Sequence, residues 1–500
     1  MMFNDWKKEA YKPEENLKYL NKGNDFIDED EINSALEQNR NASADEIRRI
    51  IEKAKKIQSL SLAETAMLMH VTDPKLWDEI NAAALEIKRK VYDNRIVFFA
   101  PLYCANLCVN NCAYCGFRSE NTGEIRRILS LNEVIKETQS VLDTGHKRLI
   151  MVYGEHPQSD INYMVDTIKA VYSVERTAPV SGRLTSIRRV NINAAPMPLS
   201  HLKKLKETGI GTYQVFQETY HKKTYSEVHP KNTIKGDYQW RLYALHRAQE
   251  AGIDDVAIGA LFGLYDWRFE VLGLVAHAAE LEKQFGVGPH TVSVPRLTHA
   301  AGSLISTKSE YLVSDNDFKK VVTVLRLALP YPGLIITARE KPEIKREIIK
   351  LGCTQTDAST KIGIGAYQEC NAGEELSSEQ FTIGDARSLD EIIREVAEMG
   401  MISSFCTAGY RCGRTGDTIM GMLKHCVEGK FCKLNAVLTY REYLDDYASP
   451  ETKAIGEKLI EQEIGQIKNQ EFFMKNNGKL FNDFMKNYEQ IKRGKRDIYI

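Results

Sequence analysis

The sequence predicts an α/β protein built on a complete (β/α)8 TIM-type barrel, with helical additions at its N- and C-terminal ends. Three observations lead there. From about residue 96, short apolar β-rich segments alternate with helical stretches; the residues with distinctive chemistry fall just after those segments; and 500 residues suffice for one large barrel with appended segments. Residues 1–90 read as a helical region. Ser43 with Glu46 and Ser61 with Glu64 form capping boxes, and the first opens an amphipathic run through Ile47, Ile50, Ile51, Ala54 and Ile57. Strands are expected near Ile96–Tyr103, Leu149–Tyr153, Val190–Ala194, Thr212–Phe216, Val256–Leu261, Thr291–Val294, Leu334–Thr337 and Ile362–Ile364. Helical patterns intervene, for example Leu131–Leu142, Ile161–Tyr172, Asp237–Ala251 and Phe269–Gln284, each closing near glycine or another breaker. The barrel then spans residues 91–400, and residues 401–500 form a C-terminal region ending in a basic stretch around Lys492, Arg493, Lys495 and Arg496 that reads as a solvated tail.

A net charge of −1 points to neither nucleic acid nor an anionic membrane as partner. No apolar run approaches a membrane span, and the first residues resemble neither a signal peptide nor a transit segment, so a cytoplasmic location is expected. Ten cysteines, several closely spaced, fit a reducing interior better than a disulfide framework.

The most specific feature is the run from Cys104 to Gly116, in which Cys108, Cys112 and Cys115 follow the spacing C-x3-C-x2-C. Three thiolates closing on one cube need a tightly turned loop, and Asn110, Asn111 and Gly116 accept such backbone geometry. Three ligands leave one iron of a [4Fe–4S] cluster open, able to chelate the amino and carboxylate groups of S-adenosylmethionine, which is the signature of the radical SAM superfamily. Tyr114, just before the last cysteine, stands where that superfamily sets an aromatic ring against the adenine. Zinc is the competing reading, but it requires four closed ligands and usually paired knuckles, and no second knuckle is nearby. Cys104 is left over and reads as a small buried hydrophobe.

If function sits at the C-terminal ends of the strands, further candidates follow in order. Glu155, beside Gly154 after the second strand, is placed for the ammonium group of S-adenosylmethionine. Asn193 after the third strand and Glu218 after the fourth can bind ribose or carboxylate, or equally cap the helices that follow. Arg296 after the sixth strand and Arg339 after the seventh suit a substrate carboxylate, with Thr337 adding a hydroxyl; a rim salt bridge is the even alternative for either arginine. His277 lies in an otherwise apolar helical stretch and reads by pattern as a partly buried histidine. Cys406, Cys412, Cys426 and Cys432 fall within 27 residues of a Gly- and Arg-rich segment, consistent with a second metal or cluster site or with incidental thiols.

Taken together, the segments Pro101–Phe117, Gly154–Pro157, Gly209–His221, Asp255–Asp266, Gly286–Arg296 and Ser404–Gly416 closely resemble the HydG family of tyrosine lyases from [FeFe]-hydrogenase maturation, and more distantly the 2-iminoacetate synthases of thiamine biosynthesis. The resemblance implies that the cluster reduces S-adenosylmethionine to methionine and a 5′-deoxyadenosyl radical, which breaks the Cα–Cβ bond of L-tyrosine to give p-cresol and dehydroglycine. It implies an arginine holding the substrate carboxylate and a reducing electron donor. It also implies a second, auxiliary iron–sulfur cluster in the C-terminal region that converts dehydroglycine to CO and cyanide for the hydrogenase-maturation proteins, with His277 as a ligand to its outer iron. The family shows C-x2-C-x22-C there, whereas this chain keeps Cys406 and Cys432 but carries Gly409 in the middle, leaving Cys412 or Cys426 as substitutes. A lyase that stops at dehydroglycine, and a non-enzymatic iron–sulfur scaffold, are the alternatives.

Overall fold

The computed structural model describes residues 3–369 and 379–500. Eight parallel strands follow one another around a barrel: β1 (Arg95–Ala105), β2 (Arg148–Tyr153), β3 (Arg189–Asn193), β4 (Tyr213–Gln214), β5 (Val256–Gly259), β6 (Thr291–Ser293), β7 (Gly333–Ile336) and β8 (Gln355–Asp357). The barrel closes where Val97, Phe98 and Phe99 of β1 pair with Gln355, Thr356 and Asp357 of β8. The expected (β/α)8 architecture is thus present, with one correction. The eighth strand is Gln355–Asp357, not Ile362–Ile364, which lies in the loop beyond it. Its side chains are polar because Gln355, Thr356 and Asp357 are buried within a barrel whose interior is partly hydrophilic, so a search for apolar runs passes them over.

The crossover helices largely follow the apolar periodicity, as at Leu131–Asp143, Ile161–Ser173 and Trp267–Phe285. The stretch expected to be one helix from Asp237 is two, Tyr238–Leu242 and Ala244–Glu250. Before the barrel, both capping boxes form, and Ile47, Ile50, Ile51 and Ala54 are buried on one face of Ala44–Lys55.

A ninth strand, β9 (Ile402–Ser404), was not anticipated. It pairs in parallel with Arg95–Val97, at the N-terminal end of β1, and so delivers Cys406 to the opposite end of the barrel from the Cys108 loop. The helices Glu428–Asp446, Pro450–Lys468 and Glu471–Lys492 pack over this region in a second apolar cluster. The basic tail is not simply solvated: Arg496 pairs with Asp446 at 2.7 Å, Asp497 with Arg411 at 2.7 Å and with Arg188 at 3.1 Å, and the Ile500 N–H donates to Asn435.

Arg148 and Arg189, at the starts of β2 and β3, are buried inside this lower end. Arg189 donates to Asp255 at 3.0 Å, to Thr212 at 3.1 Å and to the Cys406 carbonyl at 3.4 Å. Removing one member of a buried ion pair leaves the other charge uncompensated. Asp255→Ala is therefore expected to cost about 3–5 kcal/mol in urea denaturation, and a loss under about 1 kcal/mol would show that Arg189 is held by its other partners.

Candidate active site

The loop after β1 folds back over the C-terminal mouth of the barrel. Cys108, Cys112 and Cys115 line one cavity there, together with Tyr114, Glu155, Asn193, Glu218, Thr337 and Arg339, so nine of the expected residues converge although 231 positions separate the first from the last.

The loop is held by polar contacts that spacing alone does not reveal. The Asn110 amide donates to Glu155 at 2.6 Å and lies 3.7 Å from the Cys108 sulfur, while its carbonyl accepts from the Lys235 N–H at 2.9 Å. Gln380 places its amide nitrogen 3.6 Å from the Cys115 sulfur, and its backbone carbonyl accepts from the Gly116 N–H at 3.1 Å. Gly154 permits close approach: a Cβ there would sit 2.1 Å from the Leu107 carbonyl oxygen.

These residues fit a cluster. The three thiols are free and buried or half-buried, and burial pushes Cys108 up to about 11 and Cys115 up to about 12. A bound cluster would take the place of those protons, with Cys108, Cys112 and Cys115 as its ligands. Among the described residues no three His, Cys, Asp or Glu side chains converge as a single metal ion requires. A cube instead presents each thiolate to a separate iron, so its ligands stand further apart. Glu155 is raised by burial, opposed by Asn110, and is a carboxylate in want of a cation.

The Tyr114 hydroxyl lies 2.8 Å from His229 Nε2. His229 Nδ1 is 3.0 Å from the Tyr225 carbonyl; if Nδ1 donates there, Nε2 accepts from Tyr114. Glu218 pairs with Lys235 at 2.8 Å and Arg241 at 3.1 Å, which hold its carboxyl below the usual range against burial, on a backbone with φ of +74°. Arg339 stacks on Phe381, its guanidinium carbon 3.3 Å from the ring centroid, and gives one donor to Thr298 at 3.0 Å. Neither the Thr337 hydroxyl nor Oδ1 of Asp357 has a hydrogen-bond partner among the described residues, and both line the cavity. Lys235, Arg241, Asp357 and Gln380 are not distinguished in the sequence from capping or surface residues, and Asn110, expected there only as a turn residue, also anchors Glu155.

Two expected residues lie elsewhere. Arg296 is outside the cavity, with its guanidinium on Glu340 at 2.9 Å and Asp315 at 2.8 Å, which is the rim salt bridge. His277 faces outward from the barrel, bonded to Tyr220 at 2.9 Å and packed against Phe26 and His246, and burial lowers it to about 3. Two histidines lie toward the lower end among the described residues: His290, 3.9 Å from Asp255, and His146, whose ring centroid is 6.1 Å from that of Phe405.

At that lower end Cys406 and Cys432 lie within hydrogen-bonding reach of each other. That contact, with Arg189, Arg148 and Arg95 facing it, holds the Cys406 thiol well below its usual range. Cys406 has φ of +48°, a strained backbone for a residue with a side chain. Cys412 is exposed and Cys426 half-buried, and neither lines the small cavity that Cys406, Gly409 and Cys432 share.

A barrel carrying three cluster-spaced cysteines at its C-terminal mouth defines a radical SAM enzyme, and the family comparisons agree. Residues 102–271 match the Radical SAM superfamily, and residues 293–402 match the Biotin and Thiamin Synthesis associated domain. The crystal structure of HydG, a maturase of the [FeFe]-hydrogenase, is 43% identical with a TM-score of 0.88, covering 95% of this chain and all of the other. The HydG of Carboxydothermus hydrogenoformans is 37% identical with a TM-score of 0.76, again covering 95% of this chain and all of that one. The 2-iminoacetate synthase of Salmonella typhimurium is 28% identical over 352 residues, 70% of this chain and 88% of its own length. The chain belongs to the HydG family of radical SAM enzymes, which sets aside a purely structural scaffold.

Because an alanine Cβ at position 154 meets backbone rather than a movable side chain, Gly154→Ala is expected to displace the cysteine loop. It should lower iron bound per chain and cost about 1–3 kcal/mol; full iron content with unchanged stability would show that the loop does not depend on that approach.

Proposed function

We propose that this enzyme cleaves the Cα–Cβ bond of L-tyrosine to p-cresol and dehydroglycine, and passes dehydroglycine to an auxiliary cluster at the lower end for conversion to CO and cyanide in hydrogenase assembly. The observation that carries the first step is Arg339, a buried guanidinium in the same cavity as the Cys108, Cys112 and Cys115 loop, with most of its donors uncommitted among the described residues. When bound, the [4Fe–4S] cluster and S-adenosylmethionine, fed by a reducing electron donor, supply the radical that a carbon–carbon bond requires.

The chain's own residues do the rest. Glu155, fixed by Asn110, takes the ammonium of S-adenosylmethionine, while Tyr114 and Glu218 serve the adenine and ribose. Arg339 takes the tyrosine carboxylate bidentately, with the Thr337 hydroxyl beside it. The apolar rings of Phe99, Phe117, Phe216 and Phe381 exclude water from the reaction. At the lower end Cys406 and Cys432 would hold the auxiliary iron, and His290, which reaches them only through Asp255 and Arg189, is a further candidate beside His277. Gly409 supports the second reading, a lyase ending at dehydroglycine.

Anaerobic turnover of the reduced, reconstituted enzyme with S-adenosylmethionine and L-tyrosine tests the reading. p-Cresol with matching CO is expected; p-cresol without CO would establish the second reading, and S-adenosylmethionine cleavage without p-cresol would exclude tyrosine. Arg339→Ala should raise KM for tyrosine about 10–100-fold with little change in S-adenosylmethionine binding, and equal losses for both would remove Arg339 from the carboxylate site. Glu155→Gln should weaken S-adenosylmethionine binding about 10–100-fold in equilibrium dialysis, and unchanged binding would show that Glu155 serves only the loop.

A further inference from the structure

We infer that Trp6, in the helix Phe3–Ala10 ahead of the barrel, is a positioning residue for the S-adenosylmethionine side of the cavity. The inference rests on the preceding reading of Glu155, Tyr114 and Glu218, and it adds the element that holds their partners in place. Trp6 is buried with Ile234 and Trp240 in a small apolar cluster separate from the main core, and Ala10, Tyr11 and Val109 pack against that cluster. Trp6 itself lies outside the cavity, yet three members of the cluster are each followed along the chain by a polar residue that lines it. Val109 precedes Asn110, Ile234 precedes Lys235 and Trp240 precedes Arg241.

Those three polar residues form one frame. Asn110 donates to Glu155 at 2.6 Å and accepts from the Lys235 N–H at 2.9 Å, while the Val109 N–H donates to the Glu155 carbonyl at 2.8 Å. Lys235 and Arg241 hold Glu218 at 2.8 Å and 3.1 Å, and the Lys235 ammonium stands 5.3 Å from the centre of the Tyr114 ring. Ile234–Gly236 is a single 3₁₀ turn and Tyr238–Leu242 a helix of five residues, and such short pieces take their position from what they pack against. The segment that carries Trp6 is itself tied to the barrel. Tyr11 donates to Asp237 at 2.7 Å and meets the Trp240 ring edge-on, with centroids 5.4 Å apart, and the Leu199 N–H donates to Glu15 at 2.9 Å. Removing the indole leaves a void beside all these segments, and partial collapse into it moves Asn110, Lys235 and Arg241 together. Arg339, carried by the loop after β7, has no part in the cluster.

The test uses the full chain, reconstituted anaerobically with ferrous iron and sulfide, with S-adenosylmethionine binding measured by equilibrium dialysis in the absence of tyrosine. Trp6→Ala is expected to weaken that binding about tenfold, with iron per chain and the KM for tyrosine unchanged. The change that S-adenosylmethionine produces in the electron paramagnetic resonance of the reduced cluster should require a correspondingly higher concentration. Trp6→Phe, which keeps a ring in the cluster, should restore most of the affinity. Val109→Ala reaches the same cluster from the cysteine loop, so its loss combined with that of Trp6→Ala should fall short of the product of the two. Circular dichroism checks the fold, and Trp6→Leu gives the same reading should Trp6→Ala not fold. Unchanged S-adenosylmethionine binding in the folded variant would overturn the inference, as would equal losses of iron, S-adenosylmethionine and tyrosine binding. An unmodified protein that binds no S-adenosylmethionine would overturn the reading of the site as well, whereas p-cresol formation with binding indifferent to Trp6 would overturn the inference alone.

Discussion

Closure of the barrel between Val97–Phe99 and Gln355–Asp357 is the constraint on which the rest depends. It turns an open parallel sheet into a tube with an inside, and only an inside can hold both a reactive intermediate and the polar groups that orient it. Asp357, at the closing strand's C-terminal end, and Arg339, just beyond the neighbouring strand, enter the same cavity because the ring is complete. The register that closes the barrel also sets the height at which the first loop leaves β1, and hence where Cys108, Cys112 and Cys115 stand over the mouth.

The two ends of the tube differ in their electrostatics. At the mouth, buried Glu155 faces the cavity as a free carboxylate and Arg339 as a largely uncommitted guanidinium, while Glu218 is already paired with Lys235 and Arg241, so the mouth can meet both a cation and an anion. At the lower end Arg95, Arg148 and Arg189 crowd toward Cys406, so the demand is for negative charge. Such an axis suits the proposed passage of a small carboxylate from the mouth toward the lower end, with the thiolate-bearing cavity as its terminus.

The C-terminal additions serve that lower end. β9 carries Cys406 to the barrel by extending the sheet at Arg95–Val97, and the helix Glu428–Asp446 brings Cys432 and Glu428 against it. The last residues then tie the assembly down through Arg496 to Asp446 and Asp497 to Arg188 and Arg411. Gly409 lines the small cavity beside Cys406 and Cys432, and a Cβ there would stand 3.5 Å from Glu428 Oε1.

What the sequence by itself determined is what depends on neighbours along the chain. The C-x3-C-x2-C spacing, the capping boxes at Ser43 and Ser61, and the alternation of apolar segments and amphipathic helices are local, and they suffice for the barrel and for the cysteine loop. Glu155, Thr337 and Arg339 were legible one step further, because a strand end is a predictable address in this fold. The tertiary structure alone separates Arg339, which lines the cavity, from Arg296, which is tied to Glu340 and Asp315, and it alone sets His277 against Tyr220, since each placement turns on which way a side chain faces and what it meets. It alone revealed the polar strand β8, the added strand β9, and the contacts of Gln380 with Cys115 and Glu428 with Cys432, which join residues distant in sequence or unremarkable in type. A buried polar group is identified by the partner that offsets its desolvation, and that partner is chosen by folding in space, not by position in the chain.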